Sequence, residues 1–504
     1  MELREGLEPA SPNAQYFNSS VLSVSIICVM QSEVPIEINE ARAISLLNDV
    51  FLPINTRFSS IMVKDRKGEK QWKKVEVKLE EHVNFPIFPT GLLPPSYDEY
   101  LEDYLSNIAM EHFPQNKPLW EIHMVKYPTS NAAGTIIFKL HHALGDGYSL
   151  MGALLSCLQR ADNPSLPLTF PSHQSSEPES GSKSVCGRVS QLCSFIFNSV
   201  SDFGWSMLKS TLVEDDRTPI RSGAEGVEYQ PIMVSNMIFS MDCIKHIKDK
   251  LEVTVNDVIT GIIFLGSRLY MQEISNKSTK SHSTALVMSG YKSIEEMLKP
   301  NSKVPWGNQF TFLHVPVPEL KDHKSQNPLD FVLAASKIIK KKKSSLGVYL
   351  TGRFLEIVKK LRGPETAARF VHGTLRNSSL SISNVIGPME QVSLDNHPIK
   401  GLYFMVLGVP QNLIITMVSY MGNLRISAVM EKGFLDPQRF KSCVENAFEK
   451  ILKLLMMKLL FKQRFCFSFL NQQIEFFIHN IDFLSINKSV QFIYDCSSFL
   501  SFSM

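Results

Sequence analysis

Residues 139–150 read KLHHALGDGYSL, two adjacent histidines followed by an aspartate between two glycines. Immediately upstream, "GTIIFKL" (Gly134–Leu140) has the apolar density of a buried strand, and downstream Leu150, Met151, Leu154, Leu155 and Leu158 recur at helical spacing. The histidines therefore fall where a strand hands over to a helix, the kind of switch point at which open sheets place ligands. An imidazole with an ordinary pKa of about 6.5 is mostly neutral at cytosolic pH, so one ring nitrogen can accept a proton while the other is held by a neighbour. Asp146, four residues after His142, can orient that ring or pin the loop, and Gly145 and Gly147 let the chain fold back tightly. Taken alone, the pattern also fits a polar turn with satisfied histidines. A metal site would need further ligands at suitable spacing, and none is found. "GDGYSL" lacks the third glycine of a dinucleotide fingerprint, and the chain has neither a G-x-S-x-G elbow nor a phosphate loop.

The surrounding chain is that of a folded protein. Its 504 residues are 44% apolar, and 52 basic against 49 acidic side chains leave a formal charge of +3, which does not point to nucleic acid. Eight cysteines without C-x-x-C spacing fit a reducing, cytosol-facing compartment. "MELREGLEPASP" lacks the basic-then-apolar order of a secretory signal, and "VLSVSIICVM" (Val21–Met30) is too short to span a bilayer and suits a buried strand. A Pro/Ser-rich stretch at 164–190 reads as a linker between a first unit, 1–163, and a second, 219–454. Between them, 191–218 reads as an amphipathic helix lying either in a membrane interface or on the protein's own core. "SLSISNVIGP", "LYFMVLGV" and "NLIITMVSYMGNLRISAVM" read as strands of the second unit, the last folding into a hairpin at Gly422-Asn423. The tail, 455–504, has no Gly, Pro or Ala and is rich in Phe: a membrane-seeking or aggregation-prone extension, or translated non-coding sequence. Strands and helices mix in both units, so the fold class is α/β or α+β with a sheet in each.

"HHALGDG" is a complete H-H-x-x-x-D-G motif and resembles the signature of acyl-CoA-dependent acyltransferases related to chloramphenicol acetyltransferase. "SPNAQYF" (11–17), "PLWEIH" (118–123), "TVNDV" (254–258) and "SNVIGP" (383–388) narrow the likeness to the plant type of wax ester synthase/diacylglycerol acyltransferase, from about Pro9 to about Leu454. The resemblance implies two chloramphenicol acetyltransferase-like subdomains, each a mixed sheet with helices, and an active-site tunnel between them. It makes His142 the general base, gives His141 a supporting role, and assigns Asp146 and Gly147 to loop geometry. It places Pro118, Leu119, Trp120, Asn256, Asp257, Ser383, Asn384 and Gly387 along the cleft that binds substrate. Each of these also has a plainer reading: Trp120 as a core aromatic, Asn256 as a helix cap, Gly387-Pro388 as a turn. The implied partners are acyl-CoA as co-substrate, a fatty alcohol or diacylglycerol, and a membrane surface, with no cofactor and no metal. The implied location is the cytosolic face of the endoplasmic reticulum membrane, with the plasma membrane as an alternative.

The sequence departs from the family pattern at one place. Related plant proteins carry Asn-Thr-Arg on the strand leading into a Gly-Tyr-Lys segment, whereas "STALVMSGYKS" lacks that run, which takes from Asp146 its expected arginine. A buried carboxylate without a partner is costly. An acyl-CoA- or lipid-binding protein without turnover is therefore one alternative. The other is the H-x-x-x-D acyltransferase family of specialised metabolism, but its C-terminal D-F-G-W-G motif is matched only by "DFGW" at 202–205, directly after the linker. The lysine run Lys340–Lys343 reads either as a solvated helix end or as a contact for anionic headgroups or the phosphates of CoA.

Overall fold

The computed structural model describes residues 7–65, 68–171, 185–290, 306–308, 310–320 and 327–457, with main chain alone at 185–194, 276–277, 289–290 and 310. Most of the expected linker, the Gly-Tyr-Lys segment beyond Gly290 and the tail beyond 457 lie outside the described residues. Met1–Glu449 forms one compact unit and Lys450–Met504 another, of which only the helical stretch 450–457 is described. Both large sheets belong to the first unit.

The strands, in chain order, are β1 (Leu7–Pro9), β2 (Ser25–Ser32), β3 (Ser60–Lys64), β4 (Lys70–Lys74), β5 (Val83–Asn84), β6 (Trp120–Val125), β7 (Gly134–His141), β8 (Gln159–Arg160), β9 (Ile232–Ser240), β10 (Thr284–Gly290), β11 (Phe310–Pro316), β12 (Leu380–Ile386), β13 (Val392–Leu394), β14 (His397–Leu407), β15 (Leu413–Tyr420) and β16 (Asn423–Glu431). A seven-stranded sheet has the order β5-β6-β7-β2-β14-β13-β8, a six-stranded sheet the order β11-β10-β12-β15-β16-β9, and β1, β4 and β3 form a small third sheet. β7, at the centre of the first sheet, is buried along its whole length, which explains its near-continuous apolar run. Its one cation, Lys139, lies opposite Glu121 on β6 and pairs with it at 2.8 Å, so the buried ion pair fixes the β6–β7 register.

The two large sheets do not divide as the two halves of the sequence do. β14, from the second half of the chain, pairs antiparallel with β2, from Leu407 opposite Ser25 to Ile399 opposite Ser32, and β13 follows it into the first sheet. The chain then crosses at 408–412 and enters the second sheet as β15, parallel to β12. Gly408 makes the crossing possible: its φ is +75°, and a Cβ there would lie 2.0 Å from the Ser23 carbonyl oxygen. Periodicity identified these residues as strands, but sheet membership is set by long-range pairing that no local pattern carries. The β15–β16 hairpin turns at Met421-Gly422, both at positive φ, one residue before the expected position.

Helices α1 (Pro12–Phe17) and α2 (Gly147–Ser156) are both at the site, and α3 (Val185–Thr211) starts within the stretch read as linker. Later helices include α4 (Val255–Ile274), α5 (Leu329–Lys343), α6 (Gly347–Arg362) and α7 (Pro364–Arg376). α3 packs on α6 and α7 through Phe203 against Phe354, a hydrogen bond between Ser210 and Thr374, and a main-chain donor from Leu346 to Ser199 Oγ. Asp202, the acid of "DFGW", is bound by Lys342, and Lys209 and Asp215 are fully buried partners at the end of α3. No described helix is long and apolar enough to cross a membrane.

Candidate active site

β7 ends at His141, and His142 opens the loop to α2; each main chain is held by a neighbouring strand, His141 N–H by the Leu119 carbonyl (2.9 Å) and His142 N–H by the Val24 carbonyl (2.8 Å). Alternation along the strand sends the two rings different ways. His141 is 1% exposed; its Nδ1 accepts from the Ala143 N–H at 3.1 Å, which leaves Nε2 to donate to Ser23 Oγ at 3.3 Å. Burial, then the neighbouring His142, pushes its pKa down to about 3. A ring with both nitrogens committed and proton affinity this low is poorly placed to take a proton.

His142 is 2% exposed and lines a cavity of about 20 Å³, room for about one water, whose wall comes from both sheets: Val24 and Val406 from the first side, Met288, Phe312, Ser381, Ser383 and Ile414 from the second. Phe17 packs its ring 4.8 Å from the imidazole. Where the sequence led us to expect a tunnel, the described residues enclose this small apolar space. Burial lowers the pKa of His142 below its ordinary value, against the opposing effects of its own main-chain carbonyl, Asp146 and Asn308. The ring is neutral at physiological pH.

The loop after His142 is held from the second half of the chain by three consecutive residues that sequence reasoning missed. Asn308 Oδ1 lies 2.8 Å from His142 Nδ1, and Asn308 Nδ2 donates to the His142 carbonyl at 2.8 Å. Trp306 Nε1 donates to the Leu144 carbonyl at 2.7 Å, and Ser149 Oγ donates to the Gly307 carbonyl at 3.2 Å. Asn13, in "SPNAQYF", donates to the Asn308 carbonyl at 3.2 Å. "WGN" follows a lysine- and proline-containing stretch and has no periodic pattern; only three-dimensional proximity reveals it.

Asp146 caps α2, its carboxylate accepting the Ser149 N–H at 2.9 Å at the positive end of the helix, and Gly147 starts the helix with Val385 Cγ2 3.5 Å from where its Cβ would be. The carboxylate is thus satisfied at a helix N-terminus although the expected arginine run is absent from β10, where Met288 instead lines the cavity. Arg57 reaches the same loop by donating to the Leu144 carbonyl at 3.3 Å.

The remaining expected residues separate into four groups. Ser383 lines the cavity with His142. Asn256 and Asn384, from two separate motifs, meet in a hydrogen bond of 2.5 Å, while Asp257 is spent in the capping box of α4 with Thr254. Gly387 lies where β12 closes on β15, and a Cβ there would stand 2.3 Å from the Ser419 carbonyl oxygen. Pro118, Leu119 and Trp120, expected along the cleft, do not line this cavity: Trp120 is fully buried, stacked on His82 at 4.2 Å and donating Nε1–H to the Phe58 carbonyl at 2.8 Å. These residues brace β7 from behind. Among the described residues no three His, Cys, Asp or Glu side chains converge as metal ligands do.

A two-sheet fold whose first sheet presents a buried neutral histidine to the second defines a class of chloramphenicol acetyltransferase-like proteins. A solved wax ester synthase/diacylglycerol acyltransferase from Marinobacter aquaeolei shares the two-sheet fold at a TM-score of 0.54 and 15% identity, over 89% of this chain and 99% of that one. The first condensation domain of the calcium-dependent antibiotic synthetase shares it at 0.54 and 10%, over 89% and 96%. Residues 56–259 match the wax ester synthase/diacylglycerol acyltransferase catalytic domain and residues 306–452 the C-terminal domain of the same family. Two Arabidopsis thaliana relatives, wax ester synthase/diacylglycerol acyltransferases 11 and 4, are each 30% identical, over 86% and 89% of this chain and 92% and 90% of their own. The chain belongs to the wax ester synthase/diacylglycerol acyltransferase family, and the C-terminal match begins at Trp306, the first residue of the clamp on the histidine loop.

Proposed function

We propose that the protein transfers a long acyl group from acyl-CoA to the hydroxyl of a fatty alcohol or of diacylglycerol. The observation that carries this reading is a neutral, buried imidazole on an apolar cavity walled by both sheets, in a chain of this family. His142 takes the hydroxyl proton as the oxygen attacks the thioester carbonyl. The tetrahedral adduct then collapses, the C–S bond breaks, and the imidazolium returns the proton to the departing CoA sulfur. A base so placed contributes about 10²- to 10⁴-fold; holding both substrates together and stabilising the oxyanion supply the rest. Two hydroxyls line the cavity. Ser381 donates to Gln411, so Ser383 is the one we assign to the oxyanion. A cavity of about 20 Å³ admits no acyl chain, so its wall must open for substrate, and the unbranched Met288 is the most adaptable of the lining side chains.

Membrane contact is part of the proposal, supported by α3. Between 195 and 212 its only charges are Asp202, bound to Lys342, and the buried Lys209, while Phe197, Val200 and Leu212 are 73%, 62% and 77% exposed. Lys340, Lys341 and Lys343 stand exposed at the end of α5, beside that helix. An apolar face next to cations suits an interfacial helix on an anionic bilayer. We place the protein on the cytosolic face of the endoplasmic reticulum membrane, or on the plasma membrane, because its substrates are water-insoluble. Expression in yeast lacking its own neutral-lipid synthesis tests the activity: wax ester from supplied fatty alcohol, or triacylglycerol, is the expected product. Acyl-CoA binding without either product would favour a non-catalytic lipid-binding role.

A further inference from the structure

The geometry points to Asn308 as a positioning residue that locks His142 in the Nδ1–H tautomer and so makes Nε2 the basic nitrogen. This deepens the proposed function and rests on His142 being its base. The two contacts of the Asn308 amide tell its ends apart. The His142 main-chain oxygen can only accept, so the amide atom 2.8 Å from it is the NH₂ nitrogen. Oδ1 then faces His142 Nδ1 at 2.8 Å, and because Oδ1 only accepts, Nδ1 must carry the hydrogen. In a neutral ring the lone pair is left on Nε2.

The clamp reads the ring and the main chain of one residue together, so it fixes the imidazole's orientation as well as its tautomer. Its own position is fixed in turn by Asn13 on the Asn308 carbonyl and by the contacts of Trp306 and Gly307 with the loop, so rotation of the amide would break contacts on both sides. Asn308 and His142 come from different halves of the chain, 166 positions apart. The second half therefore sets which nitrogen of the base in the first half can accept a proton. Among the described residues, Asp146 and His141 are the titratable groups beside the ring, and the facing strands contribute the uncharged Met288, Phe312, Ser381, Ser383, Ile414 and Val406.

Three variants of the full-length protein test this, with thermal melts to establish folding. Asn308→Leu removes both contacts and leaves the ring's own main-chain carbonyl as the remaining acceptor for Nδ1–H; it should lower kcat about 10²-fold with KM for acyl-CoA and alcohol little changed, because the ring loses its fixed orientation and part of its tautomer preference. Asn308→Asp keeps an acceptor for Nδ1–H and adds a negative charge, so its acid limb in kcat/KM should move to higher pH, opposite to Asn308→Leu. Two-bond ¹H–¹⁵N spectra of histidine-labelled protein read the tautomer without any turnover, with the His142 signals assigned by their loss in His142→Gln. Nδ1 protonated in the wild type and a tautomer mixture in Asn308→Leu are the expected results. Nε2 protonated in the wild type, or an unchanged tautomer and pH profile in both Asn308 variants, would overturn the inference even if His142→Gln is inactive. If His142→Gln retains full activity, the proposed base itself is wrong, whatever the spectra show.

Discussion

At His142 the opposing influences have a clear order. Desolvation disfavours the imidazolium more than Asp146, Asn308 and the ring's own carbonyl favour it, so the base stays neutral below the ordinary histidine range. Because the neutral form is the active one, activity is present above the depressed pKa and is lost as pH falls through it. The acid limb of kcat/KM is therefore expected below pH ~6.5. A limb at or above that value, measured with a substrate that does not titrate, would contradict the burial argument. The different roles expected of the two histidines in "HHALGDG" came from the family resemblance, and the partner of the second ring was not legible at all, since nothing in a local pattern links position 142 to position 308.

Among the strands, the ion pair between Glu121 and Lys139 is the feature most sensitive to change. Burial alone would raise the Glu121 carboxyl, but His123 and Lys139 carry it down to about 2. Glu121→Gln leaves Lys139, 1% exposed, without its counter-charge, and should destabilise the protein by about 3–5 kcal/mol in denaturant titration. A loss below about 1 kcal/mol would mean that the lysine finds water or another partner. Trp120→Phe separates bracing from substrate binding: it strands the Phe58 carbonyl, for an expected cost of about 1–3 kcal/mol, with KM for both substrates unchanged. A large rise in KM at unchanged stability would restore Trp120 to the cleft. The strand–helix junction and the hairpin were readable from apolar spacing and turn chemistry, but the cap of α4 is Thr254 and not Asn256, which lies inside the helix. The function of "PLWEIH" was not, because a residue buried behind a strand and one lining a cleft leave the same trace in sequence.

Across the whole molecule, several histidines are buried in neutral form: His141 is held down to about 3 and His314 to about 4, with His142 and His82 also lowered, in each case chiefly by burial. Unfolding restores their ordinary pKa, so below ~6.5 the unfolded chain binds more protons than the folded one. Their stabilisation is complete above pH ~6.5 and drains away as pH falls toward 4. Thermal melts should therefore show Tm dropping over that interval; a flat Tm would indicate that the rings are hydrated in solution. The exposed face of α3 gives a second global prediction: Phe197→Glu with Val200→Glu should weaken cosedimentation with phosphatidylserine vesicles more than with phosphatidylcholine vesicles, without loss of fold. Equal binding by the variant would move the membrane contact elsewhere. Two sheets, helices between them and a histidine at a junction could be anticipated from the sequence. The crossing of β14 into the first sheet could not, and it is this crossing that carries Val406, Val409 and Ile414 to the wall of the cavity.

The most direct measurement is the initial rate of ester formation from long-chain acyl-CoA and fatty alcohol by folded wild-type and His142→Ala proteins in the same lipid. The expected outcome is steady product from the wild type and a loss of at least about 10²-fold in the variant. Equal rates from the two proteins would remove the imidazole from the chemistry and contradict the account.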